Sequence, residues 1–181
     1  MSLGSIILTG GASARMGADK AELLWLGERA VDRVAQVAMA CGADPVITAG
    51  SGDYGFSNVV DDAPNGGPVG GILAAARALQ ATGCHRALIL AVDAPLVTVD
   101  DLALLLTASG PGAAFEGLHL PMVLNSLAMP PDAVAGWPIA RLIERAGLVR
   151  IVCRAGSFER LRGANTPNER RDQLRHLDSG R

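Results

Sequence analysis

The sequence predicts an α/β fold, a three-layer sandwich around a mostly parallel, Rossmann-like central sheet, and three observations carry that prediction. Ser5 to Gly10 is a short, partly β-branched run that stops at Gly10-Gly11, as a buried parallel strand running into a loop does. Ala87 to Val92 is wholly apolar, of strand length, and ended by Asp93 and Pro95, which marks a central strand covered on both faces. Segments of helical apolar spacing separate such runs, and strands alternating with helices imply a parallel sheet with right-handed crossovers.

The elements follow in order. After the first strand, Val31, Val34, Ala35 and Ala38 recur at helical spacing between Arg29 and Cys41, and Gly42 supplies the stop. Pro45 to Ala49 is expected as the second strand and Val59-Val60 as a brief extended piece. An alanine-rich helix is expected over Gly70 to Ala81, just beyond Pro68. Asp100 to Ala108 follows the apolar strand as a helix capped by Thr98. Further strands are expected near Gly112–Phe115, Pro121–Asn125 and Leu148–Cys153, and helices near Ile139–Ala146 and Asn168–His176.

At 181 residues the chain fits one domain with a continuous core. A hydrophobic fraction of 49% against 19% charged residues excludes disorder. The net charge of −2 lacks the basic field that drives non-specific nucleic-acid binding. Cys41, Cys84 and Cys153 form neither a disulfide framework nor a zinc knuckle, and read as buried, reduced thiols. The first residues carry no cationic region and Ile6-Ile7-Leu8 is too short for a signal or a membrane span, so a cytoplasmic location is expected.

The chemistry concentrates in Gly10-Gly11-Ala12-Ser13-Ala14-Arg15-Met16-Gly17-Ala18-Asp19-Lys20. It follows the first strand directly, at the carboxyl edge where open α/β sheets bind ligands. Small residues let several backbone N–H groups turn toward one anion, and Arg15 and Lys20 add two cations, so the segment reads as a triphosphate cradle. A P-loop is excluded because Lys20 precedes Ala21 rather than Ser or Thr. The G-x-G-x-x-G dinucleotide fingerprint is absent.

The run from Leu8-Thr9-Gly10-Gly11 through Arg15-Met16-Gly17 to Asp19-Lys20 resembles the signature of molybdenum cofactor guanylyltransferases and the nucleotidyltransferases that share their fold. Three further blocks fall in that family's order: Gly67-Pro68-Val69-Gly70-Gly71, Val92-Asp93-Ala94-Pro95 and Asn165-Thr166-Pro167. The resemblance implies transfer of GMP from GTP to molybdopterin with release of pyrophosphate, dependent on Mg2+. It implies that Asp93 holds the ion, with Asn165 near it, and that Leu8, Thr9, Gly10 and Gly11 line the nucleotide. Lys20 would contact the phosphates, Asp62 the nucleoside, and Gly67 to Gly71 would open a helix beside it. Asp93 also suits magnesium on chemical grounds, since that ion takes one or two carboxylates with phosphate and water oxygens. Arg15 and Lys20 are assigned to the charge developing on the phosphates. No catalytic histidine is needed, because a phosphate monoester is largely ionised above its second pKa of about 6. His85, His119 and His176 accordingly lie outside the matched loop.

The sequence departs from the family at Thr9, where alanine is commoner, and at Ala49, where some members carry a base-contacting asparagine. His119-Leu120-Pro121-Met122 and Arg162-Gly163-Ala164 depart on the acceptor side. A cytidylyltransferase, or an enzyme with another phosphorylated acceptor, would keep the same cradle; a non-catalytic nucleotide-binding adaptor would keep it without turnover. Trp25, Trp137, Met16 and Leu23-Leu24 read as packing residues. The basic run Arg170-Arg171 to Arg175-His176 reads as a solvated helix face or a docking point for a cofactor-handling partner enzyme.

Overall fold

The computed structural model describes residues 2–10, 19–60, 66–127 and 129–178. Along the chain, β1 (Leu3–Leu8) leads to a hairpin of β2 (Leu24–Trp25) and β3 (Glu28–Arg29), then to α1 (Ala30–Ala40), β4 (Val46–Ala49), β5 (Ser57–Val59) and α2 (Gly67–Ala81). The second half runs β6 (Arg86–Ala91), α3 (Val99–Leu106), β7 (Gly112–Phe115), β8 (Met122–Leu124), α4 (Ile139–Arg145), β9 (Val149–Ile151), α5 (Phe158–Leu161) and α6 (Pro167–Asp178). Seven of these strands make one sheet in the order β5-β4-β1-β6-β8-β7-β9. Every pairing in it is parallel except those of β8, which runs antiparallel to both β6 and β7.

Strand alternation sends successive side chains to opposite faces, and each face carries its own core. Ile7, Leu88, Leu90, Ala113, Phe115 and Val123 pack on one side with Val31, Val34 and Ala38 of α1 and Leu102 and Leu105 of α3. Ile6, Leu8, Ile89, Met122 and Leu124 pack on the other with Val69, Ile72 and Leu79 of α2 and Leu142 and Ile143 of α4. The expected three-layer sandwich with a mostly parallel sheet is therefore the observed one. The parallel set β5-β4-β1-β6 steps outward from β1 through β4 to β5 and then returns to the other side of β1. That reversal opens a crevice beyond the carboxyl ends of β1 and β6.

The Thr98 cap is present as a full capping box: its side chain accepts from the Asp101 amide, and the Asp101 carboxylate accepts from the Thr98 amide. Helix α1 stops at Gly42, whose φ is 82°. Helix α2 begins one turn before the expected Gly70, because Pro68 lacks only an N–H that the first turn leaves unpaired anyway. The β2–β3 hairpin and the single turn of α5 were not expected. Leu26 and Gly27 turn the hairpin with φ of 52° and 88°, a two-residue turn that Leu-Gly signals only weakly. All three cysteines are free, but only Cys84 is buried; Cys41 and Cys153 are half-buried, which corrects the uniform reading. Leu24 is 56% exposed, against the expected core contact. Trp25 and Trp137 are buried, as packing residues are. Among the described residues no helix is long and apolar enough to cross a membrane.

Candidate active site

Three polar side chains from distant parts of the chain converge at the carboxyl edge of the sheet. Asp93 follows β6 by two residues, Lys20 opens the turn Lys20–Glu22, and Asn165 precedes α6. The Lys20 ammonium donates to Asn165 Oδ1 at 2.8 Å and lies 3.8 Å from Asp93 Oδ2. A carboxylate and an amide oxygen are thus already aimed at one cation. Burial pushes the Asp93 carboxyl above its ordinary range; the Lys20 charge and a backbone hydrogen bond oppose the rise, and the Glu169 carboxylate adds to it.

Each of the three is held by its neighbours. Asp19 accepts from the Ala21 amide at 3.0 Å and caps the turn that carries Lys20. Asn165 is set by Glu169, whose Oε2 accepts from the Asn165 and Thr166 amides at 2.7 and 2.9 Å, while the Glu169 amide donates to Thr166 Oγ1 at 3.2 Å. The Asn165 amide is the chief reason the Glu169 carboxyl sits below its ordinary range. Arg170, one residue on, donates to the Leu24 carbonyl and lies over the Trp25 ring with its guanidinium carbon 5.3 Å from the centroid. The start of the basic run is therefore a dock for α6 against the β2–β3 hairpin rather than a solvated face, and it brings Asn165 to Lys20.

Asp93 is flanked by the segment that leads to Asn165. The Ala164 amide donates to the Asp93 carbonyl at 2.9 Å, and a Cβ on Gly163 would stand 2.4 Å from Asp93 Oδ1. Gly163→Ala is therefore expected to displace the carboxylate and lower turnover about tenfold or more, since small misplacements of reacting groups are costly. Normal turnover in that variant would place the Asp93 carboxylate outside the reaction.

The expected nucleotide edge lies one strand over. Leu8 and Thr9 are buried, and Gly10 is exposed. The Leu8 carbonyl accepts from the Val92 amide at 3.1 Å, and the Thr9 and Gly10 amides donate to the Ala49 carbonyl at 3.0 and 3.3 Å. These groups lock the ends of β1, β4 and β6 together, so Leu8 and the two amides serve as the wall of the crevice. Ala49 is buried, and the position of a Cβ on Gly71 lies 3.3 Å from its methyl, so α2 packs close where a longer base-reading side chain would project. Gly11, Arg15 and Asp62 lie outside the described residues.

On the other side of Asp93, Ala91, Ala94, Val97, Leu118, His119 and Pro121 are among the residues lining a cavity of about 210 Å³. Strand β7 runs the same way as β6, because both are antiparallel to β8, so the loop carrying His119 reaches the same sheet edge. His119, one of the lining residues, is exposed, and His85 is exposed elsewhere. The residues that sequence reasoning missed are Glu169, Gly163 and Tyr54. Thr166 and Glu169 carry the spacing of a capping box, a legible signal; Gly163 and Tyr54 have none that is local.

Comparison with known proteins places the chain among relatives of one kind. The curated molybdenum cofactor guanylyltransferase of Xanthomonas euvesicatoria is 35% identical over 122 residues, covering 66% of this chain and 62% of that protein. That of Cereibacter sphaeroides is 36% identical over 149 residues, covering 77% and 71%. The alignments span between 50% and 62% of the length of the first two curated relatives matched. Molybdopterin-guanine dinucleotide biosynthesis protein A from Archaeoglobus fulgidus superposes with a TM-score of 0.73 at 17% identity, over 97% of this chain and 99% of that one, and so shares its fold. Residues 5–130, from β1 past the Asp93 turn and through β8, match the family described as MobA-like NTP transferase domain, and the chain belongs to that family of nucleotidyltransferases.

Proposed function

We propose that this protein transfers GMP from GTP to molybdopterin, releasing pyrophosphate. The observation that carries the reading is the convergence of Lys20, Asp93 and Asn165 at the carboxyl edge of the sheet, the edge at which β1 ends. The names of the curated relatives supply the substrates. The terminal phosphate of the acceptor attacks the α-phosphorus of GTP; the new P–O bond forms as the bond to the bridging oxygen of pyrophosphate breaks. Catalysis of this kind is positioning and charge stabilisation. Lys20 binds the phosphates and offsets the charge that grows on them, with Arg15 assigned the same task. Leu8, Thr9, Gly10 and Gly11 hold the nucleoside side with Asp62. The cavity beside Asp93 admits part of the acceptor, being smaller than the roughly 300–1,000 Å³ of pockets that enclose a whole ligand.

The residues present fit Mg2+. Asp93 and Asn165 offer oxygen ligands, two of which already face one cation in Lys20. Among the described residues no cluster of three or more His, Cys, Asp and Glu side chains forms a fuller cage, and a site of one or two protein ligands completed by phosphate and water is what magnesium uses. When bound there, the ion neutralises phosphate charge. Lys20 would then exchange its Asn165 partner for a phosphate oxygen.

The test is pyrophosphate release by the purified protein with molybdopterin and magnesium, run in parallel with GTP, CTP and ATP. GTP-selective release is the expected result. Preference for CTP would overturn the base assignment, and GTP binding without release would overturn the transfer reading in favour of an adaptor.

A further inference from the structure

The two ends of the turn that presents Lys20 are both tied to one residue from a different part of the chain. Tyr54 lies in the connection between β4 and β5, with its ring buried among the residues packed on the α1 face. Its hydroxyl donates to Asp19 Oδ2 at 2.7 Å. The other Asp19 oxygen caps the turn, accepting from Ala21. At the far end of the turn, Glu22 Oε1 accepts from Arg29 Nη1 at 3.1 Å, and Arg29 Nη2 donates to the Tyr54 carbonyl at 3.2 Å. Arg29 is itself anchored on α1, its Nε donating to Asp32 Oδ2 at 2.6 Å.

The surrounding backbone makes room for this arrangement. A Cβ on Gly52 would stand 2.2 Å from the Tyr54 hydroxyl oxygen, and one on Gly50 would stand 2.4 Å from Thr9 Oγ1. Thr9 Oγ1 donates to the Ala49 carbonyl at 3.2 Å. Tyr54 thereby joins the β4–β5 connection to the residue just before Lys20. Burial, then the hydrogen bond and charge of Asp19, push the phenol up to about 12, which keeps it a proton donor at any working pH.

We infer that Tyr54 is a positioning residue for Lys20: its hydroxyl and carbonyl hold the two ends of the Lys20 turn, so that the ammonium group is aimed at the sheet edge before a nucleotide arrives. The inference rests on the reading of Lys20 as a phosphate-binding residue. A lysine side chain has many rotamers to lose on binding, and a fixed turn reduces the part of that loss that nucleotide binding must meet. A role in packing alone would make phenylalanine an adequate replacement, since the ring is retained.

Tyr54→Phe separates the two. Amide hydrogen exchange of the unliganded protein is expected to quicken about tenfold across residues 19–23, with α1 and α2 unchanged. GTP affinity with Mg2+, measured by calorimetry, is expected to weaken about five- to tenfold. Asp19→Ala removes both the acceptor of the Tyr54 hydroxyl and the cap of the turn, and is expected to match or exceed Tyr54→Phe in both assays. Unchanged exchange over 19–23 in Tyr54→Phe overturns the proposal; so does quickened exchange with undiminished GTP affinity. Failure of the wild type to bind GTP would strike the proposed function instead, and the exchange experiment still decides the role of Tyr54.

Discussion

Asparagine in place of Asp93 is expected to lower turnover about a thousandfold while leaving the melting temperature level or slightly raised. The amide has the shape of the carboxylate, so it fits beside Gly163, and what disappears is the charge facing Lys20 and, on the proposed function, the bound phosphates. In the proposed metal-holding role such a carboxylate supplies several kcal/mol of charge stabilisation, and each 1.36 kcal/mol is tenfold in rate, hence about three orders of magnitude. Stability moves the other way. The folded pKa of Asp93 lies above its unfolded value, so the group favours folding while protonated, below about pH 4, and that contribution is lost as pH rises through the folded pKa. At neutral pH the ionised carboxylate is therefore a burden on the fold that asparagine removes. Pyrophosphate release and thermal melts at pH 7 read both effects; near-normal turnover would sink the metal and charge assignment.

Arg160→Ala is expected to be the largest stability defect among these variants. The Asp101 side chain is 1% exposed and accepts from Arg160 Nε at 2.9 Å and Nη2 at 2.6 Å, and from the Thr98 amide and hydroxyl at 3.0 and 2.8 Å. Without the guanidinium a buried carboxylate keeps its Thr98 bonds but loses both charged donors. Removing one partner of a buried pair costs about 3–5 kcal/mol. The Arg160 side chain is 35% exposed, so water replaces part of the loss and about 2–3 kcal/mol remains. At roughly 2–4 °C per kcal/mol for a chain of this size, the melting temperature falls by about 5–10 °C. Lysine does not restore it fully, because it lacks the two-pronged geometry.

The pH dependence of that defect follows from the same pair. Burial alone would raise the Asp101 carboxyl, but the Arg160, Ser157 and Thr98 hydrogen bonds outweigh it and hold the group below its ordinary range. Its stabilising contribution is present above the unfolded pKa of about 3.9 and is lost as pH falls through the lower folded value. The gap between wild type and variant should therefore be widest near neutrality and close in strong acid. A gap that stays constant down to pH 2 would show that Arg160 acts through packing instead.

Much of the fold is legible in the chain because the elements that matter most have strong local signals. Ile6 to Leu8 and Leu88 to Leu90 are apolar on both faces and became the sheet centre, and Thr98 with Asp101 announced the start of α3. The one-turn α5 and the short hairpin at Leu26-Gly27 are too brief to show a period, and packing against the core decides them. Asp93 and Lys20 stood out because each sits beside a strand end or a glycine-rich run, and the structure brings both to one edge.

By itself the sequence determined the α/β architecture, the location of the reactive edge and the residue types gathered there, since these follow from hydrophobic period, strand length and local turn chemistry. Only the tertiary structure decided how Lys20, Asp93 and Asn165 meet, and which residues keep them there. Tyr54, Glu169, Gly163 and Arg170 act through contacts with residues that, for three of the four, lie tens of positions or more away, or through space that a missing Cβ leaves open. Pattern along the chain records the periodicity of an element; it does not record which distant side chain completes a hydrogen bond or where two backbones must pass closely.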